Sequence, residues 1–581
     1  MCGIIAIKKD GGLSPETVNK MLTTLSKRGP DDRGISRVGD TILGQTRLAI
    51  VDIKGGRQPM RDNALPLSIV FNGEIYGYKE LKKTLETKGH RFSTESDTEV
   101  ILKSYAEYGR DCVRHLDGMF AFVILDERTN ELFMARDRFG KKPLYYAFAN
   151  GAFLSASEIK AIFESGLLRG DIDKNALVDY LRLGYIPPHK TVYKNIFTLP
   201  PAHASIVKDG KIDIFRYWNL EKTELKISPE GAKSEIKRLF DEAVKKRMVA
   251  DVEIGAMLSG GVDSTLVTYY AQKYSKSAIK TFSVYYDSGK SEQKFAEWAS
   301  QKIGTEHFSL QIGSELTDEL EKIIAYMDEP HADSSNFPQS MISALASTKV
   351  KVAMTGDGAD ELFMGYGWYQ KHWNTPRWKP ERWLGNPFSA YQKTIEIFNE
   401  QEIRDLLGTR TEKNIFEKTI AGIKRPIEKI NSFDLNFYLP GQLLYKIDRT
   451  SMMNSLEVRS PFLDTRLAEF VYNLPPGLKI SKTENKIILK EILADIFPKE
   501  FVYRRKQGFG APIASWLKEK KMLTMINSLL LDNPSFHSFI SKEKTLKIRD
   551  RFERGERGAE QKLWALLCLA LWLKKHEKYH I

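Results

Sequence analysis

The chain has 581 residues, with 42% hydrophobic residues, 28% charged residues and a formal net charge of +13. This length is too great for one hydrophobic core and predicts two or three domains. Its three cysteines, Cys2, Cys112 and Cys568, form no CxxC pair, which argues against a disulfide framework or a zinc knuckle. Lysines are scattered along the chain, which favours an enzyme of acidic metabolites over a nucleic-acid-binding protein.

The N-terminus and the longest apolar run bear on the location of the protein in the cell. No basic N-terminal segment leads into an apolar stretch. The longest apolar run, Leu563–Leu573, is shorter than the roughly 20 residues that span a bilayer. We therefore expect a cytoplasmic protein without a membrane or nucleic-acid partner, and we expect this run to form a buried C-terminal helix.

The first 200 or so residues alternate short β-rich runs with turn signals. Helical patterns intervene at Pro15–Lys27 and Thr98–Tyr108. This layout predicts an α+β domain with antiparallel strands. A proline-rich stretch at 186–201 and the segment Phe215–Leu220 indicate a boundary, so the predicted first domain spans residues 1–215. The strand candidates are GIIAI, TILG, SIVFNGEIY, AFVILD, ELFMARD, KPLYYAF and GAFLSAS.

The pattern of predicted helices and strands changes after about Ser228, within the predicted second domain of residues 216–581. A helical segment, Glu230–Met248, precedes strand candidates at Ile254–Leu258, Thr281–Tyr285 and Val350–Met354. Strands that alternate with helices predict an α/β domain with a parallel sheet. Beyond about residue 389 helical patterns dominate, which predicts a helical C-terminal part.

Cys2 is the first candidate for chemistry. Gly3 and the apolar run Ile4–Ile7 follow it, and a small residue at this position is compatible with removal of Met1. Cys2 would then carry a free α-amine with a pKa of about 7.7–8.0, which can take the proton of the thiol without a histidine. The alternative interpretation is a small buried hydrophobic residue near a terminus.

A glycine turn, Ser259–Ser264 (SGGVDS), directly follows the strand candidate Ile254–Leu258. Such a turn presents bare backbone N–H groups at a helix N-terminus, where they can bind phosphate oxygens. No GxxxxGK[ST] motif occurs, so this is not the loop of nucleoside triphosphatases. The pattern resembles the pyrophosphate loop of enzymes that adenylate a substrate; a simple capped turn is the alternative.

A second glycine turn, Thr355–Glu361 (TGDGADE), follows another strand candidate. Its three carboxylates, Asp357, Asp360 and Glu361, would repel one another near phosphates unless a cation lies among them. Mg²⁺ prefers oxygen ligands and accompanies ATP. The turn therefore predicts ATP and Mg²⁺ as cofactors, and an acidic surface turn is the alternative.

Twelve motifs occur in the order found in the glutamine-dependent asparagine synthetase family, and the chain resembles that family over nearly its whole length. They are CGI at Cys2, RGPDDRG at Arg28–Gly34, RLAIVD at Arg47–Asp52, NGEIY at Asn72–Tyr76, SDTE at Ser96–Glu99, ARDRFGKKPLYY at Ala135–Tyr146, SEIKA at Ser157–Ala161, SGGVDS at Ser259–Ser264, DEPHADSS at Asp328–Ser335, TGDGADELF at Thr355–Phe363, YKIDRTSM at Tyr445–Met452 and LEVRSPFLD at Leu456–Asp464. The resemblance implies an N-terminal-nucleophile (Ntn) glutaminase domain, with antiparallel sheets sandwiched between helices. A parallel-sheet synthetase domain of the ATP-pyrophosphatase type is implied to follow it.

For the glutaminase half, the resemblance implies that Cys2 attacks the side-chain amide of glutamine. The oxyanion would be held by the Asn72 side chain and the Gly73 backbone N–H. Arg47 would bind the α-carboxylate of glutamine. Its α-ammonium would pair with Glu74 and Asp97.

For the synthetase half, the resemblance implies an ATP site and a catalytic group beside it. Lys486 would neutralise charge in the transition state, with Lys506 as a weaker candidate for that task. Asp357 stands where well-known members carry a glutamate that assists attack by ammonia, and Asp263 and Asp360 are the implied Mg²⁺ contacts. The implied ATP-binding residues are Leu258, Ser259, Gly260, Gly261, Asp263, Ser264, Val284, Thr355 and Gly356.

The resemblance implies one overall reaction. Glutamine yields ammonia through a thioester, ATP converts an acceptor carboxylate into an acyl-adenylate, and ammonia travels through an internal passage to attack it. The acceptor is an acidic small molecule, most simply aspartate. A sugar uronate is the alternative acceptor. The alternative function from another class is that of a non-catalytic basic protein that binds nucleic acid. The resemblance leaves open whether the protein forms a homodimer.

Overall fold

The computed structural model describes residues 1–62, 64–223, 225–286, 293–313, 316–373, 387–408, 420, 423, 425–504 and 511–580. Within these ranges, none of the helices has the length and apolar character needed to cross a bilayer. Lys506 lies outside the described residues.

The strands form three sheets. They are β1 (Cys2–Lys8), β2 (Asp32–Val38), β3 (Thr41–Arg47), β4 (Met60–Arg61), β5 (Leu67–Ile75), β6 (Gly118–Asp126), β7 (Glu131–Arg136), β8 (Tyr145–Ala149), β9 (Ala152–Ala156), β10 (Phe197–Thr198), β11 (His203–Lys208), β12 (Lys211–Arg216), β13 (Ile254–Met257), β14 (Lys280–Tyr286), β15 (Glu306–Ile312), β16 (Val352–Met354) and β17 (Glu457–Arg459). Two sheets are antiparallel, with strand orders β10-β8-β9-β1-β3-β2 and β12-β11-β7-β6-β5-β4. The third is parallel, with strand order β15-β14-β13-β16-β17.

Helices cover the sheets and build the C-terminal part, where π-helical turns also occur at Asp434–Leu443 and Asn527–Leu531. The α-helices are α1 (Pro15–Thr24), α2 (Tyr78–Thr87), α3 (Asp97–Tyr108), α4 (Cys112–His115), α5 (Ile159–Phe163), α6 (Lys174–Leu183), α7 (Pro229–Arg247), α8 (Val262–Tyr274), α9 (Gln293–Ile303), α10 (Leu316–Tyr326), α11 (Asn336–Ser347), α12 (Ala359–Leu362), α13 (Gly367–Trp373), α14 (Pro387–Ile395), α15 (Glu400–Leu407), α16 (Pro426–Phe433), α17 (Leu444–Met452), α18 (Thr465–Asn473), α19 (Ile487–Ala494), α20 (Lys499–Val502), α21 (Ile513–Trp516), α22 (Lys520–Ile526), α23 (Pro534–His537), α24 (Lys542–Glu553) and α25 (Ala559–His576).

Strand β1 is buried on both faces, which explains its uninterrupted apolar sequence. Because successive side chains of a strand point to opposite faces, Ile4 and Ala6 join a cluster between the two antiparallel sheets. Ile5 and Ile7 join another cluster with residues of α1 and α5. Helices α2 and α3 cover the outer face of the second sheet. The N-terminal half is therefore a sandwich of two antiparallel sheets between helices, as predicted.

The parallel sheet carries helices on both faces. Ala256 of β13 packs in a cluster with Phe240 of α7 and Leu266 of α8. Phe282 of β14 packs on the other side with Ile342 of α11. This confirms the predicted α/β class and places the ends of β13 and β16 side by side.

The boundaries of several predicted elements shift by a few residues. Helix α1 ends at Thr24 rather than Lys27, β16 begins at Val352 rather than Val350, and β12 extends into the predicted linker as far as Arg216. The apolar run 563–573 lies inside α25, as predicted, and packs in one cluster with α6 and β1. The two halves thus share a hydrophobic core, and the domain boundary after residue 215 stays a prediction.

Candidate active site

Cys2 lies at the start of β1, against two neighbouring strands. Its backbone pairs in register with Arg47 at the end of β3. Its N–H donates to Oδ1 of Asn72 on β5, at 3.0 Å. The pairing of β1 with β3 and the facing of the two sheets thus bring together three residues that lie up to 70 positions apart.

Asn72 and Gly73 form an oxyanion-type pocket beside Cys2. Because Oδ1 of Asn72 accepts the Cys2 N–H, its Nδ2 is the free donor, and this buried atom has no partner among the described residues. Gly73 has φ of +155°, and a Cβ at this position would lie 2.0 Å from the Met119 carbonyl oxygen. Only glycine fits this approach to β6. An unsatisfied buried donor of this kind suits an oxygen that develops negative charge.

Arg47 lies in the same cavity, whose lining also includes Cys2, Gly73, Glu74 and Asp97. Its guanidinium donates to the carbonyl oxygens of Val51, Asp52 and Ile53, at 3.3, 2.8 and 2.9 Å. These bonds fix the plane of the group and use three of its five N–H donors. The remaining donors can take a carboxylate.

Asp97 and Glu74 supply the negative charge of the cavity. Burial raises the pKa of Asp97 to about 6, although the Ile75 N–H donates to Oδ2 at 2.9 Å. Burial and the nearby Glu457 raise the pKa of Glu74 well above its usual range, against the opposing charge of Arg459. Asp97 is therefore ionised at neutral pH and is the stronger partner for an ammonium group.

Met1 is buried beside the cavity, and its α-ammonium lies 3.1 Å from Oε2 of Glu457 on β17. Burial raises the pKa of the Cys2 thiol, and the positive N-terminus and Arg47 partly offset this effect. Since the Cys2 nitrogen lies within the cavity lining, removal of Met1 would place its amine beside its own thiol. That removal stays a prediction.

The carbonyl of Cys2 is held from the other side by Arg28. Its Nε donates to this oxygen at 3.1 Å, and its two terminal nitrogens donate to Asp448 of α17 at 2.8 and 2.9 Å. Glu158 also accepts from Arg28, at 3.1 Å. Cys2, the candidate nucleophile of one half, is therefore positioned by an ion pair with the other half.

The SGGVDS turn joins β13 to α8 as predicted. Gly261 caps α8 without a side-chain hydrogen bond, so the first N–H groups of this 13-residue helix remain available to an anion. Gly260 has φ of +75°, and a Cβ there would lie 2.6 Å from the Phe295 backbone. The hydroxyls of Ser259 and Ser264 lie 3.1 Å apart. Buried Leu258 directly follows β13 and donates its N–H to the Phe282 carbonyl of β14 at 2.8 Å, and half-buried Val284 lies two residues further along β14.

The TGDGADE turn packs directly on that helix start, since a Cβ on Gly356 would lie 2.8 Å from Cβ of Asp263. Lys486 contacts both turns, with Nζ 2.5 Å from Asp263 and 2.7 Å from Asp360. Lys486 has a left-handed backbone conformation, with φ of +51°, which residues other than glycine rarely adopt. Burial alone would lower the pKa of Lys486, but the two carboxylates raise it.

The predicted Mg²⁺ contacts are thus bridged by a lysine. In the described part of the chain, no three His, Cys, Asp or Glu side chains meet as a metal site. Oδ1 of Asp263 is nevertheless buried without a hydrogen-bond partner there, which suits a cation held jointly with phosphate oxygens. Glu361 differs from the sequence expectation: it is fully buried, accepts from Tyr366 at 2.6 Å, and burial raises its pKa to about 8.

Asp357 follows Thr355 at the carboxyl end of β16, where ligands of parallel sheets bind. Thr355 donates to it at 2.5 Å. Burial raises the pKa of Asp357, and the charges of Asp263 and Asp360 act in the same direction. A carboxyl with a raised pKa at this edge of the sheet is a candidate for proton transfer.

One chain of contacts joins the two candidate centres. Arg459 lies 3.5 Å from Glu74 in the glutaminase cavity, and its carbonyl accepts the N–H of Thr355 at 2.9 Å. Sequence reasoning assigned no role to Arg28, Asp448, Glu457 or Arg459, although all four lie within the quoted motifs. The density of charged residues in these motifs is the signal that could have indicated buried ion pairs.

The sandwich with a cysteine at its edge and the adjoining parallel sheet define the class of glutamine-dependent amidotransferases with a synthetase domain. Family models agree with both halves: the model "Glutamine amidotransferase domain" matches residues 1–218. The model "Asparagine synthase" matches residues 235–574, more than half of the chain. The chain belongs to the asparagine synthase family, and it is an enzyme of the ligase class.

Similar proteins extend over nearly the whole chain. Asparagine synthetase [glutamine-hydrolyzing] 3 of Bacillus subtilis is 32% identical, over 94% of this chain and 94% of its own length. Asparagine synthetase [glutamine-hydrolyzing] 1 of the same organism is 30% identical, over 98% and 96%. Among solved structures, glutamine phosphoribosylpyrophosphate amidotransferase from B. subtilis is 18% identical over 53% of this chain and 65% of its own, with a TM-score of 0.29.

Proposed function

We propose that this protein makes asparagine from aspartate, with glutamine as the nitrogen donor and ATP as the activating nucleotide. The observation that carries this proposal is the contact of the Cys2 N–H with Asn72, which leaves Nδ2 of Asn72 as a free, buried donor beside the nucleophile. The same chain carries the SGGVDS turn at the edge of a parallel sheet. Amide hydrolysis and carboxylate activation are thus supported in one molecule.

In the first half-reaction, the Cys2 thiol attacks the side-chain carbonyl of glutamine. The free α-amine of Cys2 takes the thiol proton and then delivers it to the leaving nitrogen, so that ammonia departs as a thioester forms. Nδ2 of Asn72 and the Gly73 N–H donate to the oxyanion. Arg47 and Asp97 hold the α-carboxylate and the α-ammonium. Water then releases glutamate from Cys2.

In the second half-reaction, the acceptor carboxylate attacks the α-phosphorus of ATP and pyrophosphate leaves. The N–H groups at the start of α8 and the Ser259 and Ser264 hydroxyls bind phosphate oxygens. Lys486 turns from its carboxylate partners toward the charge that develops on the phosphates. Asp263 and Asp360 would hold Mg²⁺, which supplies positive charge to those phosphates when bound.

Ammonia then attacks the acyl-adenylate carbonyl, and AMP leaves. Asp357 lies at the end of β16 with a raised pKa and can accept the proton that the attacking nitrogen loses. The internal passage for ammonia, a cytoplasmic location, the domain boundary after residue 215, the absence of a nucleic-acid partner and the oligomeric state remain predictions from the sequence.

The test is a product analysis with the purified enzyme, glutamine labelled with ¹⁵N in its amide, ATP, Mg²⁺ and aspartate. We expect ¹⁵N-asparagine, AMP and pyrophosphate in equal amounts. A parallel panel replaces aspartate with sugar uronates. Pyrophosphate release with a uronate but not with aspartate would contradict the proposed acceptor while leaving the amidotransferase chemistry intact.

A further inference from the structure

Lys446 of α17 forms a second charged centre at the synthetase site. Its Nζ lies 2.9 Å from Oδ2 of Asp333 and donates to Oγ of Ser335 at 2.7 Å. The Ser335 hydroxyl and N–H both donate to Oδ1 of Asp333, at 2.7 and 2.9 Å. The pair is thus held rigidly, and within the described ranges one ammonium hydrogen and part of the carboxylate acceptor capacity have no partner and can take a ligand.

This pair lies at the carboxyl edge of the parallel sheet, because Asp333 and Ser335 directly precede α11 and that helix leads into β16. The charge of Lys446 lowers the pKa of Asp357, so the two side chains lie within electrostatic range of each other. The Lys446 and Asp333 side chains keep 10% and 17% of their surface exposed. Arg449 of the same helix and its partner Asp328 lie at the interface, where they contact Glu158 and Ile159, and their side chains keep only 1% and 0% of their surface exposed. A small molecule can therefore reach Lys446 and Asp333.

The other lysine of the site already has its partners. Lys486 lies between Asp263 and Asp360, at the turns that border the proposed phosphate positions. Lys446 and Asp333 remain as a cation and an anion 2.9 Å apart, close to Asp357. An α-amino acid carries the complementary charges on one carbon atom: an α-carboxylate for Lys446 and an α-ammonium group for Asp333. Such a zwitterion can pair with both side chains at once.

We infer that Lys446 and Asp333 select the acceptor by binding the α-carboxylate and the α-ammonium group of an amino acid, while its side-chain carboxylate faces ATP. This inference rests on the proposed function and deepens it, since it predicts that aspartate binds in preference to a uronate. A uronate has no ammonium group for Asp333. Ser335 adds a hydroxyl next to the α-carboxylate.

The experiment measures pyrophosphate release with three acceptors: L-aspartate, succinate, which lacks the α-ammonium, and β-alanine, which lacks the α-carboxylate. Wild-type kcat/KM should be highest for L-aspartate, by about 10-fold or more over either analogue. Asp333→Asn should lower kcat/KM for L-aspartate by about 10- to 100-fold and leave succinate within about threefold. Lys446→Met should lower L-aspartate and succinate together and leave β-alanine nearly unchanged.

Lys322→Met, an exposed lysine of α10 paired with Glu319, is the matched control and should change none of these values. Equal losses for all three acceptors in Asp333→Asn and Lys446→Met would overturn the inference and leave the proposed function standing. If a variant does not fold, the wild-type panel still decides, because equal use of aspartate and succinate contradicts a role for Asp333. No pyrophosphate release by wild type with aspartate would overturn the proposed acceptor, and this inference with it.

Discussion

Arg28 and Asp448, 420 residues apart, form a fully buried bidentate ion pair, with N–O distances of 2.8 and 2.9 Å. The same guanidinium donates to the Cys2 carbonyl at 3.1 Å. Burial alone would lower the pKa of Arg28, but Asp448 and Glu158 hold it above its usual value, so the charge is permanent. The position of the nucleophile therefore depends on a helix of the synthetase half.

Removal of one partner of this pair should be costly. Asp448→Ala leaves Arg28 buried beside Lys142 with only Glu158 as a close counter-charge, and we expect a loss of about 3–5 kcal/mol in the free energy of unfolding. Urea unfolding measures this loss, and glutaminase activity should fall with it. Glu543→Ala, which removes an exposed pair with Lys547, should leave the urea midpoint unchanged. Equal midpoints for the two variants would contradict the role assigned to Asp448.

Cys2→Ala should abolish synthesis with glutamine and retain synthesis with free ammonia, because the acceptor site does not contain the thiol. The measurement is asparagine formation with each nitrogen source. Cys112→Ala is the control, since Cys112 is buried in a separate cluster under the second sheet and should affect neither activity. Loss of both activities in a folded Cys2→Ala protein would mean that the two half-reactions are not divided between the two centres.

Asn72→Ala should lower kcat for glutamine hydrolysis by about 100- to 1000-fold, the effect of removing one oxyanion donor. The KM for glutamine should change little, because the proposed mechanism assigns the α-substituents to Arg47 and Asp97, which line the cavity. Asn72→Asp keeps the oxygen that accepts the Cys2 N–H and removes the Nδ2 donor, so it tests the donor role separately from the acceptor role. Wild-type kcat in the Asp variant would exclude Nδ2 as the oxyanion donor.

The pH dependence of glutamine use should reflect Asp97. Its pKa is raised to about 6, so the carboxylate is ionised above this pH and neutral below it. A neutral Asp97 cannot pair with the α-ammonium of glutamine, and kcat/KM should therefore fall about tenfold per pH unit below 6. Steady-state rates from pH 4.5 to 8 measure this limb. Asp97→Asn should have a low kcat/KM without the limb; persistence of the limb would assign it to another group.

Asp263→Asn should block ATP use and spare glutaminase activity without ATP. The change removes a carboxylate that contacts Lys486 at 2.5 Å and carries an unpartnered oxygen in the described structure. ATP–pyrophosphate exchange and glutamate release measure the two effects separately. Asp241→Asn, in an exposed pair with Lys273, serves as the control. A parallel loss of glutaminase activity would indicate that Asp263 supports the fold and not the nucleotide.

The sequence predicted the strands that carry the site because their signals are local. The apolar run after Cys2 and the glycine turns after Leu258 and Met354 identify β1, β13 and β16 without any tertiary information. The sequence did not predict β15 and β17, because their patterns are weak. Strand β15 consists mostly of exposed and half-buried residues. Strand β17 has only the three residues Glu457, Val458 and Arg459.

The contacts between the halves could not be predicted, since they join residues far apart in the chain, 420 positions for Arg28 and Asp448. Arg28 and Asp448 belong to motifs that the sequence analysis quoted, but no spacing rule pairs them. Glu361 shows the opposite limit: its motif predicted three carboxylates around a cation, whereas its place on α12 directs it toward Tyr366 in the core. The neighbouring residues Asp360 and Glu361 thus point in different directions: Asp360 contacts Lys486 at the turn, and Glu361 is buried against Tyr366.

The burial of Met1 has a consequence for biosynthesis. Its side chain is 1% exposed and its ammonium group is enclosed by Glu457, so an aminopeptidase cannot grip this residue once the chain has closed. Removal of Met1, on which the proposed glutaminase mechanism depends, must therefore happen on the nascent polypeptide. Glu457 is translated 456 residues after Met1, which gives the peptidase about 20–90 s at ordinary elongation rates. A chain that escapes trimming in this interval would stay permanently without a glutaminase, while its ammonia-dependent half would remain intact.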